Sequence, residues 1–318
     1  MKVLITSRNF GAVSDADYRY FTDVGYEVVR NPHPDRALIE DELVELYADV
    51  DAAVVGDDRV TPRIIDAAKN LKVISKMGIG VDSIDIPYAQ QKGIVVTNAP
   101  GANAVSVADL TMGLILDVAR QITYNNKCIV EKNQWPKLRG VDLPRKTLGI
   151  IGLGRIGKEV AKRAWGFDMK VICSEPYPDM EFIDSHSIEL KEVDEVLQEA
   201  DFVTLHAPHI PGTPHLIDAR RLALMKPTAY LINPARGELI DEEALYTALT
   251  TGKLAGAAAD TLEHEPPRKN EPLLGLDNFV LTSHIGGSSK EAILRTSKMA
   301  AENVIAVLSG KQCKFIVK

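Results

Sequence analysis

Residues 230–241 read YLINPARGELID. Tyr230, Leu231 and Ile232 are apolar, Asn233 and Pro234 break the run, and Arg236 follows before Gly237. An isolated loop arginine is usually no more than a solvated surface charge. At the carboxyl end of a buried parallel strand it means more, because ligands of open α/β sheets bind at that edge. There its planar fork can hold a carboxylate and a carbonyl oxygen together. Two histidines end similar apolar runs, His206 in FVTLHAP and His284 in FVLTSHIGG. Imidazole exchanges a proton near neutrality, so either could act as acid or base beside such an arginine. Spacing alone does not choose between them.

A second constellation is the stretch LGIIGLGRIGKEVAKRA, where Gly152, Gly154 and Gly157 stand in the G-x-G-x-x-G spacing. Those six letters are a weak signal by themselves. Here an apolar strand precedes them, and a helix bearing Val160, Ala161 and Ala164 follows. Gly152 would allow a tight turn, Gly154 the approach of a pyrophosphate, and Gly157 close packing of helix on strand. The phosphates would lie on the free N–H groups at the helix start. The next apolar run ends at Glu175, placed to bind ribose hydroxyls and repel a 2′-phosphate. The sequence therefore predicts NAD rather than NADP.

These residues need a scaffold of parallel strands. Apolar runs KVLIT, YEVV, AAVV, KVIS and IVVT alternate with helical stretches such as RALIEDELVELY and PRIIDAAK. Pro100 and Gly101 mark a break, and a long helix follows. A second series, TLGII, KVICS, FVTLH, AYLIN, AGAAA and FVLTS, gives six more strands, with AYLIN the fourth. A helix over about Lys290 to Leu308 is expected to pack back on the first series. The pattern predicts an α/β chain of two doubly wound parallel-sheet domains.

Composition narrows the function classes. The chain has 318 residues, 45% hydrophobic and 25% charged, a globular balance, with a net charge of −7 that argues against a nucleic-acid partner. No apolar run is long enough to cross a bilayer, and MKVLITSR reads as a first strand rather than a signal peptide. Cys128, Cys173 and Cys313 are scattered, without disulfide or zinc spacing, so the expectation is a cytoplasmic protein with no bound metal. Asp241 is expected to cap the helix after the arginine turn.

The sequence resembles the D-isomer-specific 2-hydroxyacid dehydrogenases, in their D-3-phosphoglycerate dehydrogenase-like branch. The stretches carrying this are KMGIGVDSIDI, TNAPGANAVSVADLTMGLIL, KTLGIIGLGRIGKEVAKRA, LHAPHIPGTPHLI, LINPARGELIDEEAL, GAAADTLEHEP and LTSHIGGSSKEA, over roughly residues 72 to 292. The resemblance implies a Rossmann-type NAD-binding domain, residues 99–286, inserted into a flavodoxin-like substrate domain built from 1–98 and 287–318. It implies hydride transfer between nicotinamide and a small 2-hydroxy or 2-oxo acid. Arg236, Glu265 and His284 match the family's catalytic positions, with His206 left to a structural or cofactor-lining part. Gly78, Ile79 and Gly80 resemble the loop that holds the substrate carboxylate. Gly152, Gly154, Arg155, Ile156, Gly157, Glu175, Ala207, Pro208, Ala235, Asp260 and Gly286 match cofactor-lining positions. The family also implies a homodimer, with the long helix after Gly101 and the region of Trp135 as contacts.

Four departures from the family pattern stand out. Asp109 stands where the family often has Glu, and Glu175 where it often has Asp; both keep the charge. Phosphoglycerate enzymes carry arginine near the third strand of the first domain, whereas this chain reads AAVVGDDRVT. There Asp57 and Asp58 would repel a phosphate, and only Arg59 could help. A chain ending at Lys318 is expected to lack a C-terminal regulatory domain and feedback control by serine. The sequence thus supports a D-2-hydroxyacid dehydrogenase, possible substrates including D-3-phosphoglycerate. The alternatives are a glyoxylate or hydroxypyruvate reductase, or an NAD-sensing binding protein of the same fold.

Overall fold

The computed structural model describes residues 1–33, 35–36, 38–210, 212–213 and 215–317. The chain divides into two compact units, Met1–Asn103 with Gly287–Lys318, and Ala104–Gly286.

The first unit holds strands β1 (Lys2–Ile5), β2 (Glu27–Arg30), β3 (Ala52–Val55), β4 (Val73–Lys76) and β5 (Val95–Thr97). They form one parallel sheet in the order β2-β1-β3-β4-β5, the flavodoxin-like winding. β3 and β4 are buried along their whole length, which is why they read as continuous apolar runs rather than alternating ones. The helix Lys290–Leu308 belongs to this unit, with Ser289 capping it through a bond from Ala292 N. Its Ala300, Ala301 and Val304 pack on Val3, Ile5, Val54 and Val73. The stretch after it returns to the sheet, where Val317 N donates to Val96 O. RALIEDELVELY is helical only from Glu40 to Tyr47, and its Ala37 lies outside the described residues.

Among the described residues the second unit has seven strands: β6 (Thr147–Ile151), β7 (Lys170–Ser174), β8 (Glu189–Leu190), β9 (Phe202–Leu205), β10 (Tyr230–Asn233), β11 (Gly256–Ala259) and β12 (Phe279–Leu281). They run parallel in the order β12-β11-β10-β9-β6-β7-β8. That is the Rossmann order with one strand added at its far edge. The sequence predicts six strands here, and β8 is the seventh. It is two residues long and exposed, so it leaves no hydrophobic run to read. Tyr230–Asn233 is consequently the fifth strand of this sheet, not the fourth.

The long helix after Gly101 is Ala104–Arg120. Its Ala108, Met112 and Ile115 pack in one core with Leu148, Ile150, Ile232 and Ala258. β11, with sequence GAAA, has small side chains where this helix lies against the sheet. Among the described residues no helix is long and apolar enough to cross a membrane.

Candidate active site

The glycine loop joins β6 to the helix Arg155–Trp165. Gly152 adopts φ +99°, a region closed to most side chains, and a methyl there would lie 2.6 Å from the His206 carbonyl carbon. Gly157 sits so close beneath the loop that a methyl would overlap Gly152 O. Gly154 is different: a methyl on it would meet nothing within 4 Å, so the space over its backbone is open. Two glycines are therefore demanded by packing, and the third leaves room for a ligand's phosphates at the helix start. Arg155 is exposed and Ile156 half-buried beside it.

Glu175 follows β7, and its carboxylate points at the glycine loop. Oε2 accepts from Leu153 N at 2.8 Å and Oε1 from Tyr177 N at 3.1 Å. A carboxylate has acceptor capacity beyond these two bonds, so ribose hydroxyls could still donate to it. Lys158, on the loop's helix, is ion-paired with Asp179 at 2.5 Å.

Asn233 is the last residue of β10 and only 1% exposed. Its Oδ1 accepts from Ala235 N at 3.1 Å, and its Nδ2 donates to Arg236 O at 2.8 Å. This clamp shapes the turn that presents Arg236, which is half-buried, with Nη1 donating to Ala235 O at 2.7 Å. The sequence marks Asn233 as a strand breaker and Gly237 as a turn glycine. The structure gives Gly237 another task. Its φ is not positive, but a methyl on it would overlap the Leu262–Glu263 peptide. Gly237 thus lets the arginine turn press against the segment that leads to Glu265. A short helical turn, Gly237–Leu239, then precedes Asp241, which caps the helix Glu242–Thr250 by accepting from Ala244 N.

Glu265 is held at both oxygens. Oε1 accepts from Leu262 N at 3.2 Å, and Oε2 lies 2.7 Å from His284 Nδ1. With Nδ1 donating to the carboxylate, Nε2 is the ring nitrogen that would exchange a proton with a substrate oxygen. His284 takes φ +55°, which a residue with a side chain rarely adopts, and such strain persists only where the surroundings enforce it. Asp260 enforces it here. Its carbonyl accepts from His284 N at 2.9 Å, and its carboxylate accepts from Ile285 N at 2.9 Å, Gly286 N at 2.7 Å and Thr282 Oγ1 at 2.5 Å. Asp260 is only 2% exposed and Gly286 is buried, so both support the turn from inside rather than lining an open wall. Ala207 and Ala235 are half-buried, and Pro208 is exposed.

The two candidate histidines now separate. Burial pulls the His206 imidazole down to about 3, so it is neutral at pH 7, and its Nε2 lies 3.0 Å from Thr204 Oγ1. His284 has a carboxylate as its ring partner instead. A third histidine, His215, is tied down: its Nε2 lies 2.8 Å from Glu263 Oε1. Glu263 N in turn donates to Glu242, whose carboxyl is raised chiefly by burial. This layer behind Glu265 carries no sequence signal, because it joins residues 21 and 48 positions apart. The motif LHAPHIPGTPHLI includes Pro211 and Pro214, which lie outside the described residues. Among the described residues no group of three His, Cys, Asp or Glu side chains is arranged to hold a metal ion.

In the first unit, the Gly78–Gly80 loop follows β4. Ala99 N donates to Gly78 O at 2.8 Å and Asn98 Nδ2 to Ile79 O at 2.9 Å, which fixes the loop through its carbonyls.

Residues 112–286, more than half of the chain, match the family model described as "D-isomer specific 2-hydroxyacid dehydrogenase, NAD binding domain". The chain belongs to that family. As a member of the D-isomer specific 2-hydroxyacid dehydrogenases it carries their NAD binding domain in its second unit. It is 45% identical over 284 residues to a D-3-phosphoglycerate dehydrogenase of Methanocaldococcus jannaschii, covering 88% of this chain and 54% of that protein. It therefore spans about half the length of that relative. It is 42% identical over 307 residues to a glyoxylate reductase of Thermofilum pendens, covering 92% of this chain and 88% of that one. The crystal structure of the TT0316 protein from Thermus thermophilus superposes with a TM-score of 0.89 at 36% identity, covering 100% of both chains.

Proposed function

We propose that this family member is an NAD-dependent oxidoreductase that interconverts a D-2-hydroxy acid and its 2-oxo acid. The observation that carries the reading is the His284–Glu265 pair, 2.7 Å apart, on a strained strand-end turn. Hydride addition to a ketone leaves charge on the carbonyl oxygen, which needs a proton donor and a cation beside it. His284 supplies the proton in reduction and takes it back in oxidation. Glu265 fixes the ring and favours its protonated form. Arg236 anchors the substrate and polarises its carbonyl. By resemblance, the Gly78–Gly80 loop of the first unit is the segment whose backbone N–H groups hold a substrate carboxylate.

The open backbone at Gly154 and the carboxylate of Glu175 at the loop fit a dinucleotide. Gly152, Gly154, Arg155, Ile156 and Gly157 would hold its phosphates and Glu175 its ribose. Ala207, Pro208 and Ala235 would line the rest of the site, with Asp260 and Gly286 supporting it. NAD supplies the hydride chemistry when bound.

Relatives carry the names of both a phosphoglycerate dehydrogenase and a glyoxylate reductase, so the acid is chosen by this chain's own side chains. The proposed setting is a cytoplasmic homodimer. Free Cys128, Cys173 and Cys313 support the first part, and exposed Ile122, Val130 and Trp135 of the second unit support the second. The test is oxidation of NADH with glyoxylate, hydroxypyruvate and 3-phosphohydroxypyruvate. Turnover of any of them by the native chain but not by His284→Ala supports the enzyme. NADH binding without turnover of any 2-oxo acid supports an NAD-sensing protein instead.

A further inference from the structure

Lys76 ends β4 and is only 7% exposed, although lysine is almost never buried without a partner. Its ammonium bonds the Gly56 carbonyl and lies 3.1 Å from Asp57 Oδ1. Its side chain runs beside the glycine loop, since a methyl on Gly78 would lie 3.7 Å from Lys76 Cε. Lys76 therefore sits at the carboxyl edge of the first unit's sheet, where ligands of such sheets bind, next to the proposed carboxylate loop. By itself this cation would suit an acid with a second anionic group. Asp57 changes that. Its carboxylate is 84% exposed, and the neighbouring Asp58 is pinned by a 2.6 Å bond from Thr6 Oγ1.

We infer that Asp57, by occupying the Lys76 ammonium, restricts the substrate to 2-oxo acids whose C3 substituent is uncharged. The inference rests on the reading of Gly78–Gly80 as the substrate loop. A phosphate on C3 would have to displace Asp57 from Lys76 while that carboxylate stays tethered alongside, next to Asp58. Phosphate and the Asp57 carboxylate would then compete for one ammonium. A C3 hydroxyl makes no such demand, and it can donate to the Asp57 carboxylate. Hydroxypyruvate fits, as does glyoxylate, which has no C3 to bear a charge; 3-phosphohydroxypyruvate does not.

The test is Asp57→Asn, a change at an exposed position that leaves the core intact. The ratio of kcat/KM for hydroxypyruvate over 3-phosphohydroxypyruvate should fall about tenfold or more, the size of one charge-assisted contact, through KM for the phosphorylated acid. Adding Lys76→Met to Asp57→Asn should remove that gain. An unchanged ratio in Asp57→Asn overturns the inference. A second readout needs no turnover. Phosphoglycolate should raise the Tm of Asp57→Asn more than that of the native chain or of Asp57→Asn/Lys76→Met. Equal shifts in all three overturn the inference as well. If the native chain reduces no 2-oxo acid, the dehydrogenase reading falls by itself, and these Tm shifts still decide whether Asp57 masks an anion site at Lys76.

Discussion

Asp260 holds the backbone at His284 from both sides: its carbonyl accepts from His284 N, and its buried carboxylate accepts from Ile285 N and Gly286 N. A positive φ in a residue with a side chain costs about 1–3 kcal/mol, and these bonds are what maintain it. Asp260→Ala strands three donors: two backbone N–H groups and the Thr282 hydroxyl. Each unsatisfied buried donor costs about 1–3 kcal/mol, so the variant should lose several degrees of Tm. It should also lose kcat, because the ring of His284 is no longer aimed. A thermal melt and a rate measurement check this together, and a variant with native kcat would show that the turn holds without Asp260.

Gly237 makes the approach of the arginine turn to the Leu262–Glu263 peptide possible. Gly237→Ala forces backbone apart in a packed region, with an expected cost of about 1–3 kcal/mol. Because the glycine loop and Glu175 lie elsewhere in the unit, NADH affinity should fall less than kcat/KM. Fluorescence titration of NADH alongside steady-state kinetics separates the two. Equal losses in both would mean the unit is broadly disrupted rather than the Arg236–Glu265 register shifted.

His206 makes a prediction about acid stability. Burial lowers its imidazole from 6.5 to about 3 in the folded chain. The unfolded chain therefore takes up a proton that the folded one refuses between those values. The stability linked to His206 is complete above about pH 6.5 and is lost progressively as pH falls toward 3. His206→Asn should show a flatter decline of Tm over that window than the native chain. Parallel curves for the two proteins would mean that His206 is protonated in the fold.

Local patterns made much of this legible. The glycine loop has its meaning within six residues, and the apolar runs of β3, β4, β6 and β9 announce buried parallel strands. The helix Lys290–Leu308 is bounded by a serine cap and a clear periodicity. What stayed hidden depends on residues far apart in the chain. Gly237 looks like a turn residue until the peptide 25 positions later is seen against it. Asp260 matches a cofactor-lining position by resemblance, yet its carboxylate is spent on a turn 22 to 26 residues on. β8 escaped because two exposed residues carry no hydrophobic period. Lys76 reads as one more strand-end charge until Asp57 is placed against its ammonium.

The most direct test of the account is the pH profile of NADH-dependent 2-oxo acid reduction by the native chain and by Glu265→Gln. Reduction needs a protonated His284, so the rate falls as pH rises through the pKa of that ring. The Glu265 carboxylate at 2.7 Å favours the imidazolium, and glutamine removes its charge while keeping its shape. The alkaline limb should therefore move to lower pH. A profile in Glu265→Gln that superposes on the native one would contradict the assignment of His284 and Glu265 as the acid–base pair.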